Sequence, residues 1–193
     1  MTGAAIREPS VRPAVFLDRD GVLNEVQLRD GTPVPPDRAE DLRLIPGVEA
    51  ACHRLRELGY TLVVVTNQPD IARGRQTSEE VERMHDVLRA SLPLDEIVVC
   101  PHDDADECAC RKPRPGMMLD AARRLGLDLS RSFCVGDRWR DIEAAQRAGV
   151  RSVYVDRQYG ERRATGADAV ADSLFHAVPF IESCRSQGEI DDD

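Results

Sequence analysis

Short apolar runs that break off into polar residues alternate along this chain with stretches in which apolar residues recur every three or four positions. Val15-Phe16-Leu17 runs into Asp18-Arg19-Asp20-Gly21, Thr61-Leu62-Val63-Val64-Val65 into Thr66-Asn67-Gln68, Ile97-Val98-Val99 into Cys100, and Ser132-Phe133-Cys134-Val135 into Gly136-Asp137, with Val153-Tyr154-Val155 as a fifth run. Continuous runs of this length predict strands covered on both faces. Between them, Pro46-Gly47 opens a helical pattern of Val48, Ala51, Leu55 and Leu58 that Gly59 closes. Ser78, with Glu80 and Val81 behind it, starts a second helix carrying Met84, Val87 and Leu88 on its inner face. A third spans about Pro115 to Leu125 before Gly126, and a fourth holds Ile142, Ala145 and Ala148 before Gly149. A last helix is predicted over 171–186. Residues 19–45, with Asp30-Gly31, Pro33, Pro35, Pro36 and little periodicity, read as loop.

Five strands alternating with helices predict a doubly wound, Rossmann-like α/β fold: a parallel sheet flanked by helices, because parallel neighbours need crossover connections. In such a sheet the polar strand ends Asp18/Asp20, Thr66/Asn67 and Asp137/Asp141 gather on one rim, where ligands bind. No segment between Gly21 and Val48, or after Asn67, is long enough for a large cap domain, so the pocket is expected to be open and shaped by loops. The chain of 193 residues suits one domain over 13–186, with a loose segment at 1–12 and an acidic tail at 187–193 that holds Glu189, Asp191, Asp192 and Asp193.

Composition narrows the setting. Hydrophobic residues at 41% and charged residues at 32% are those of a globular protein. No apolar run approaches the roughly 18 residues of a membrane span, and the first residues lack the apolar core of a signal peptide, so a cytoplasmic protein is expected. A net charge of −9 disfavours nucleic acid and anionic membranes as partners. A monomer is the expected form.

Asp18, Asp20, Asp137 and Asp141 would concentrate negative charge at one rim, which is unfavourable without a cation. Mg²⁺ is the natural candidate: a hard ion, held by one or two carboxylates together with a substrate phosphate. Lys112, the Thr66 hydroxyl and nearby backbone N–H groups would add the donors that a phosphoryl group needs before a carboxylate can attack it. Each feature alone has an ordinary explanation: Asp-Arg-Asp-Gly and Thr66-Asn67 as strand-ending turns, Lys112 as a solvated charge, Gly136-Asp137 as a helix cap. Their coincidence at successive strand ends is what points to a site.

The cysteines carry a second chemistry. Disulfides are not expected in a reducing compartment, yet Cys100-x-His102-(x)5-Cys108-x-Cys110 places three thiols and an imidazole close together. That set can close a tetrahedral, structural zinc site. The loop 100–114 has almost no apolar residues with which to build a core, and a metal would fix it and hold Arg111 and Lys112 over the rim. Cys52, Cys134 and Cys184 read as small buried hydrophobes. His53, His85 and His176 read as surface or satisfied core positions in helices, without a carboxylate or cysteine partner nearby. Arg123-Arg124 and Arg162-Arg163 read as solvated faces, and Trp139 either packs the start of a helix or lines the pocket.

Asp18-x-Asp20-Gly21, Thr66-Asn67, Lys112 and Gly136-Asp137-(x)3-Asp141 resemble, in order and context, the four motifs of the haloacid-dehalogenase superfamily of phosphohydrolases, over residues 13–180. Through Thr66-Asn67-Gln68, Ile71-Ala72-Arg73-Gly74, Cys100-Pro101-His102 and Cys110-Arg111-Lys112-Pro113 the chain is most similar to the branch of heptose-bisphosphate phosphatases and histidinol-phosphatases. The resemblance implies a phosphomonoesterase with Asp18 as the nucleophile of an aspartyl-phosphate and Asp20 as acid and then base. It implies Thr66 and Lys112 on the phosphoryl oxygens, and Mg²⁺ on the Asp18 carboxylate, the Asp20 backbone carbonyl and Asp137, with Asp141 near or acting through water. Arg111 is implied in substrate recognition, with Asn67, Arg73 and Arg138 as further substrate contacts. Pro69-Asp70 stands where heptose enzymes carry Ser-Gly, Arg138 where they carry lysine, and 24–31 does not match their substrate segment. The short cysteine loop looks like the histidinol-phosphatase version, whereas Ile71-Ala72-Arg73-Gly74 and Arg114-Pro115-Gly116-Met117 look like the heptose one. A heptose bisphosphate cleaved at its 7-phosphate is the expected substrate; the alternatives are histidinol phosphate and, in another class, a catalytically silent zinc-stabilised binding module.

Overall fold

The computed structural model describes residues 11–188, with side chains through Arg185; most of the segments expected to be loose at 1–12 and acidic at 187–193 lies outside the described residues. Strands β1 (Arg12–Leu17), β4 (Thr61–Asn67), β5 (Glu96–Cys100), β6 (Leu127–Gly136), β7 (Arg151–Val155) and β8 (Ala169–Ala171) form one six-stranded sheet in the order β5-β4-β1-β6-β7-β8. All of its pairings are parallel. Two further strands, β2 (Gln27–Arg29) and β3 (Thr32–Val34), pair antiparallel as a hairpin. The expected fold class is therefore observed, with one strand and one hairpin more than the hydrophobic pattern announced.

Alternation along the strands separates two cores. Val15, Leu17, Leu62, Val64, Phe133 and Val135 pack with α1 (Val48–Glu57), α2 (Ser78–Ser91) and α5 (Leu174–Gly188). Ala14, Phe16, Val63, Val65 and Cys134 face α3 (Gly116–Leu125) and α4 (Trp139–Ala148) on the other side. Every residue from Ala14 to Leu17 and from Leu62 to Val65 is fully buried. At about 1.5–3 kcal/mol for each large apolar side chain, burial of these two strands fixes the centre of the sheet. Both end, at their carboxyl edge, in the polar residues of the rim.

Several boundaries moved for local reasons. The run expected to begin at Ser132 belongs to a strand that starts at Leu127, because Arg12 and Pro13 pair with Leu127 and Asp128 before a bulge shifts the register to Val15↔Phe133. By contrast α2 begins at Ser78 as expected, and Thr77 caps it, its hydroxyl accepting from the Glu80 N–H at 3.2 Å. The last helix begins at Leu174 rather than 171, because Ala169–Ala171 add an edge strand beside β7. The region 19–45 is not plain loop: Asp30 (φ 52°) and Gly31 (φ 74°) make the tight turn of the β2–β3 hairpin.

Candidate active site

Lys112 lies at the centre of the rim, 3% exposed, and its three ammonium protons have three acceptors: Asp18 Oδ1 at 2.8 Å, the Val65 carbonyl at 2.8 Å and Asp141 Oδ1 at 2.5 Å. Burial alone would lower its pKa, but Asp141 and Asp18 override that and push it well up. The backbone of Lys112 is held separately, by Asn67, whose amide donates to the Lys112 carbonyl and accepts from its N–H, both at 3.1 Å. Asn67, expected among substrate contacts, thus spends both ends of its side chain on positioning the lysine.

Asp18, Asp137 and Asp141 are all buried, and one carboxylate oxygen from each lies within 4.8 Å of the others. Three carboxylates against one ammonium leave two negative charges uncompensated. Burial, then the neighbouring carboxylate Asp141, pushes Asp18 up to about 6 against the pull of Lys112. Asp137 is also raised well above the usual carboxylate value, by burial and by Asp18 and Asp141. Asp137 Oδ1 is buried without a hydrogen-bond partner among the described residues. A divalent cation that prefers oxygen fits this set in charge and in donor chemistry. The carboxylates approach this closely because of two glycines. A Cβ on Gly21, which holds φ +86°, would come 1.8 Å from Asp137 Oδ2, and one on Gly136 would come 2.1 Å from the Asp141 Cβ.

Asp20 is held apart from this cluster. Arg19, fully buried, donates from Nε to Oδ1 at 3.1 Å and from Nη2 to Oδ2 at 2.9 Å, while Asn24 donates to Oδ1 at 3.0 Å and Gln68 to Oδ2 at 2.8 Å. Burial works to raise the Asp20 pKa, but the Arg19 guanidinium and these donors hold it below the usual carboxylate value. The Gln68 amide also donates to Thr66 Oγ1 at 2.9 Å, which leaves the Thr66 proton free for another acceptor. Beneath Arg19 lies His85, fully buried, with Nε2 at 3.2 Å from Nη1 and Nδ1 at 3.4 Å from Glu82. The expectation that His85 lacks a carboxylate partner is corrected: it sits between Arg19 and Glu82, and burial, with Arg19, lowers it to about 4. His53 and His176 are exposed, as expected.

These groups open into a cavity of about 340 Å³ lined by Asp18, Asp20, Thr66, Asn67, Arg73, Arg111, Lys112, Asp137, Arg138 and Asp141, so the sequence-predicted residues of the rim come together. The β2–β3 hairpin adds Thr32 and Pro33, and Asp104 together with Arg140, which the sequence had not singled out, completes the wall. The arginines are all paired: Arg73 with Asp103 at 2.7 Å, Arg111 with Asp104 at 2.8 Å, Arg140 with Asp104 at 3.2 Å and Arg138 with Glu161 at 2.7 Å. Trp139 packs at the start of α4 against the guanidinium groups of Arg140 and Arg162, at 4.8 and 4.6 Å.

The second cluster hangs below this wall. Cys100, at the end of β5, lies 3.2 Å from Cys110 and 3.6 Å from Cys108, with Cys108 and Cys110 3.3 Å apart; His102 Nδ1 is 3.3 Å from Cys110 and 3.7 Å from Cys100. A zinc ion with bonds of about 2.3 Å to sulfur needs sulfur–sulfur edges near 3.8 Å, so the three thiols stand a few tenths of an ångström closer than that and, with His102 beside them, the donor set fits that metal. All six cysteines are free thiols; Cys52 and Cys134 are buried as expected, Cys184 only half-buried.

The comparisons agree with this chemistry. Residues 35–149 match the model of the haloacid dehalogenase-like hydrolase family. The D-glycero-beta-D-manno-heptose-1,7-bisphosphate 7-phosphatase of Rhodopseudomonas palustris is 40% identical over 162 residues, 78% of this chain and 84% of the relative. The enzyme of the same name from Haemophilus ducreyi is 36% identical over 185 residues, 88% of this chain and 98% of the relative. A crystal structure of D,D-heptose 1,7-bisphosphate phosphatase from B. bronchiseptica, complexed with magnesium and phosphate, superposes with a TM-score of 0.75 at 34% identity, covering 89% of this chain and 98% of that one. This chain belongs to the haloacid dehalogenase-like hydrolase family, and within it to the phosphatases that hydrolyse phosphomonoesters.

Proposed function

We propose that the chain removes the 7-phosphate of D-glycero-D-manno-heptose 1,7-bisphosphate, with Mg²⁺ on Asp18, the Asp20 backbone carbonyl and Asp137, Asp141 close by or acting through water, and zinc at Cys100, His102, Cys108 and Cys110. The observation that carries the reading is the buried contact of Lys112 with Asp18 and Asp141 at the floor of an arginine-walled cavity. Asp18 attacks the phosphorus of the 7-phosphate and the bond to the sugar oxygen breaks, leaving an aspartyl-phosphate. Lys112 and the free Thr66 proton hold the phosphoryl oxygens as charge builds on them. The cation, when bound, supplies charge neutralisation between the carboxylates and the phosphoryl group. Asp20 gives a proton to the departing alkoxide, and later takes one from the water that attacks the same phosphorus and frees Asp18. The phosphoryl charge arriving beside Asp20 opposes its own charge and raises its proton affinity, which lets one carboxyl work in both directions.

The second phosphate of the substrate suits Arg111, with Arg73, Arg138 and Arg140 around it. Of the acids Asp103, Asp104 and Asp106, which could draw the amine of histidinol phosphate, the first two are paired with Arg73, Arg111 and Arg140. The test is kcat/KM for heptose 1,7-bisphosphate anomers and for histidinol phosphate, with wild type and Arg111→Ala. The bisphosphate is expected to be preferred, and Arg111→Ala to cost it about tenfold, the value of one charge-assisted hydrogen bond. Faster turnover of histidinol phosphate, or no effect of Arg111→Ala, would sink the substrate assignment.

A further inference from the structure

The segment that leads from β7 toward β8 crosses the rim and is tied to it at four points. Arg157 Nε donates to the Gly21 carbonyl at 2.9 Å, the Gly160 N–H to the Gly31 carbonyl at 3.0 Å, and Glu161 pairs with Arg138 at 2.7 Å. Between these anchors the hydroxyl of Tyr159 donates to Asp137 Oδ2 at 2.6 Å. The approach is close enough that a Cβ on Gly21 would lie 2.6 Å from that hydroxyl oxygen. Asp137 Oδ1, by contrast, is buried and has no hydrogen-bond partner among the described residues.

A carboxylate that turns freely about its last bond presents either oxygen to a cation, at a range of angles. One clamped at Oδ2 by a short hydrogen bond offers only Oδ1. The phenol does this without adding charge to a cluster that already holds three carboxylates. Groups of this kind, behind a metal ligand, commonly alter metal affinity by 10- to 100-fold.

We propose that Tyr159 is a positioning residue for the divalent-cation site, its hydroxyl fixing the Asp137 carboxylate so that Oδ1 is the oxygen left for the cation. The inference rests on the reading of Asp18, Asp137 and Asp141 as the Mg²⁺ site. Free Mn²⁺, followed by its electron paramagnetic resonance signal, serves as probe on wild type, Tyr159→Phe and Asp137→Asn. Wild type is expected to take up the ion, Asp137→Asn to lose it, and Tyr159→Phe to bind it about tenfold more weakly. The Mg²⁺ concentration for half-maximal phosphate release should rise by the same factor, with kcat at saturating Mg²⁺ retained. Mn²⁺ affinity of Tyr159→Phe within twofold of wild type would overturn the role of the tyrosine alone. Failure of wild type to bind, or equal binding by Asp137→Asn, would bring down the cation reading itself. Glu161→Gln loosens the same segment without removing the phenol and should bind Mn²⁺ as wild type does; an equal loss there would assign the effect to the folding of the segment and overturn the positioning role.

Discussion

Among the described residues there are two clusters of potential metal ligands, and they are built in opposite ways. Asp18 and Asp137 stand at the ends of the central strands β1 and β6, with Asp141 in the first turn of α4, and all three are buried, whereas only Cys100 of the sulfur cluster belongs to a strand, and His102, Cys108 and Cys110 are partly exposed. The first cluster is imposed by the sheet: hydrophobic burial holds three like charges together, and the strain appears as the raised pKa values of Asp18 and Asp137. The second touches the core only through its sulfurs, with Cys100 inside it and Cys108 and Cys110 packed against it, so a bound metal would be the main brace of the loop. Oxygen donors on a rigid frame suit an ion that exchanges with substrate; thiolates on a loop suit one that stays. The two meet in one stretch of chain, because Cys110 is followed directly by Arg111 and Lys112.

Four changes would break or sharpen this contrast. Asp18→Asn is expected to lower turnover at least about a thousandfold, as loss of a nucleophile does, while leaving one zinc per chain. Loss of zinc in this variant, read by elemental analysis, would mean the clusters are not separately built. Cys108→Ser should do the reverse first: it should lose the zinc, lower the melting temperature and, by releasing Lys112, reduce activity about tenfold or more. A zinc-free protein with wild-type kinetics and stability would show that the loop carries its own fold. Arg19→Met should cost about 1–3 kcal/mol in denaturant unfolding, since it leaves the half-buried Asp20 without its countercharge; no measurable loss would mean the sheet frame alone supports the rim.

The smallest effect is a pH dependence. His85 is held down to about 4 in the folded protein, against about 6.5 when unfolded. The unfolded chain therefore binds the extra proton first, and stability should fall as pH drops from about 6.5 to about 4, by an amount on the order of a few kcal/mol. His85→Gln, which keeps an acceptor for Arg19, should lack this part of the acid loss. An unchanged stability profile would remove His85 from the support of Arg19.

What the sequence disclosed and what it withheld divide along the same physical line. Strand ends are legible because an apolar run that stops at Asp18, Thr66 or Asp137 announces both the burial and its edge, and the spacing of Cys100, His102, Cys108 and Cys110 is short enough to be read as one cluster. The hairpin was legible in principle: Asp30-Gly31 is a two-residue turn signal, but the flanking strands of three residues, one with Pro33, are too short for alternation to register. The edge strand Ala169–Ala171 is likewise only three residues, none fully buried. Arg19 looked like a turn residue because a fully buried guanidinium is explained only by partners elsewhere in the chain, and His85 lies 66 residues away. Tyr159, 22 residues beyond Asp137, has no local pattern at all.

Asp141 serves two masters: Oδ2 accepts the Arg138 N–H at 3.0 Å at the start of α4, while Oδ1 meets Lys112. First-turn amides of a helix ordinarily fray and exchange with solvent early. Here the Arg138 amide can open only if a buried ion pair at the reaction centre opens with it. In hydrogen–deuterium exchange that amide should behave as a core amide, slow and concerted with the central strands, and Lys112→Met should return it to the fast rate of an ordinary helix end.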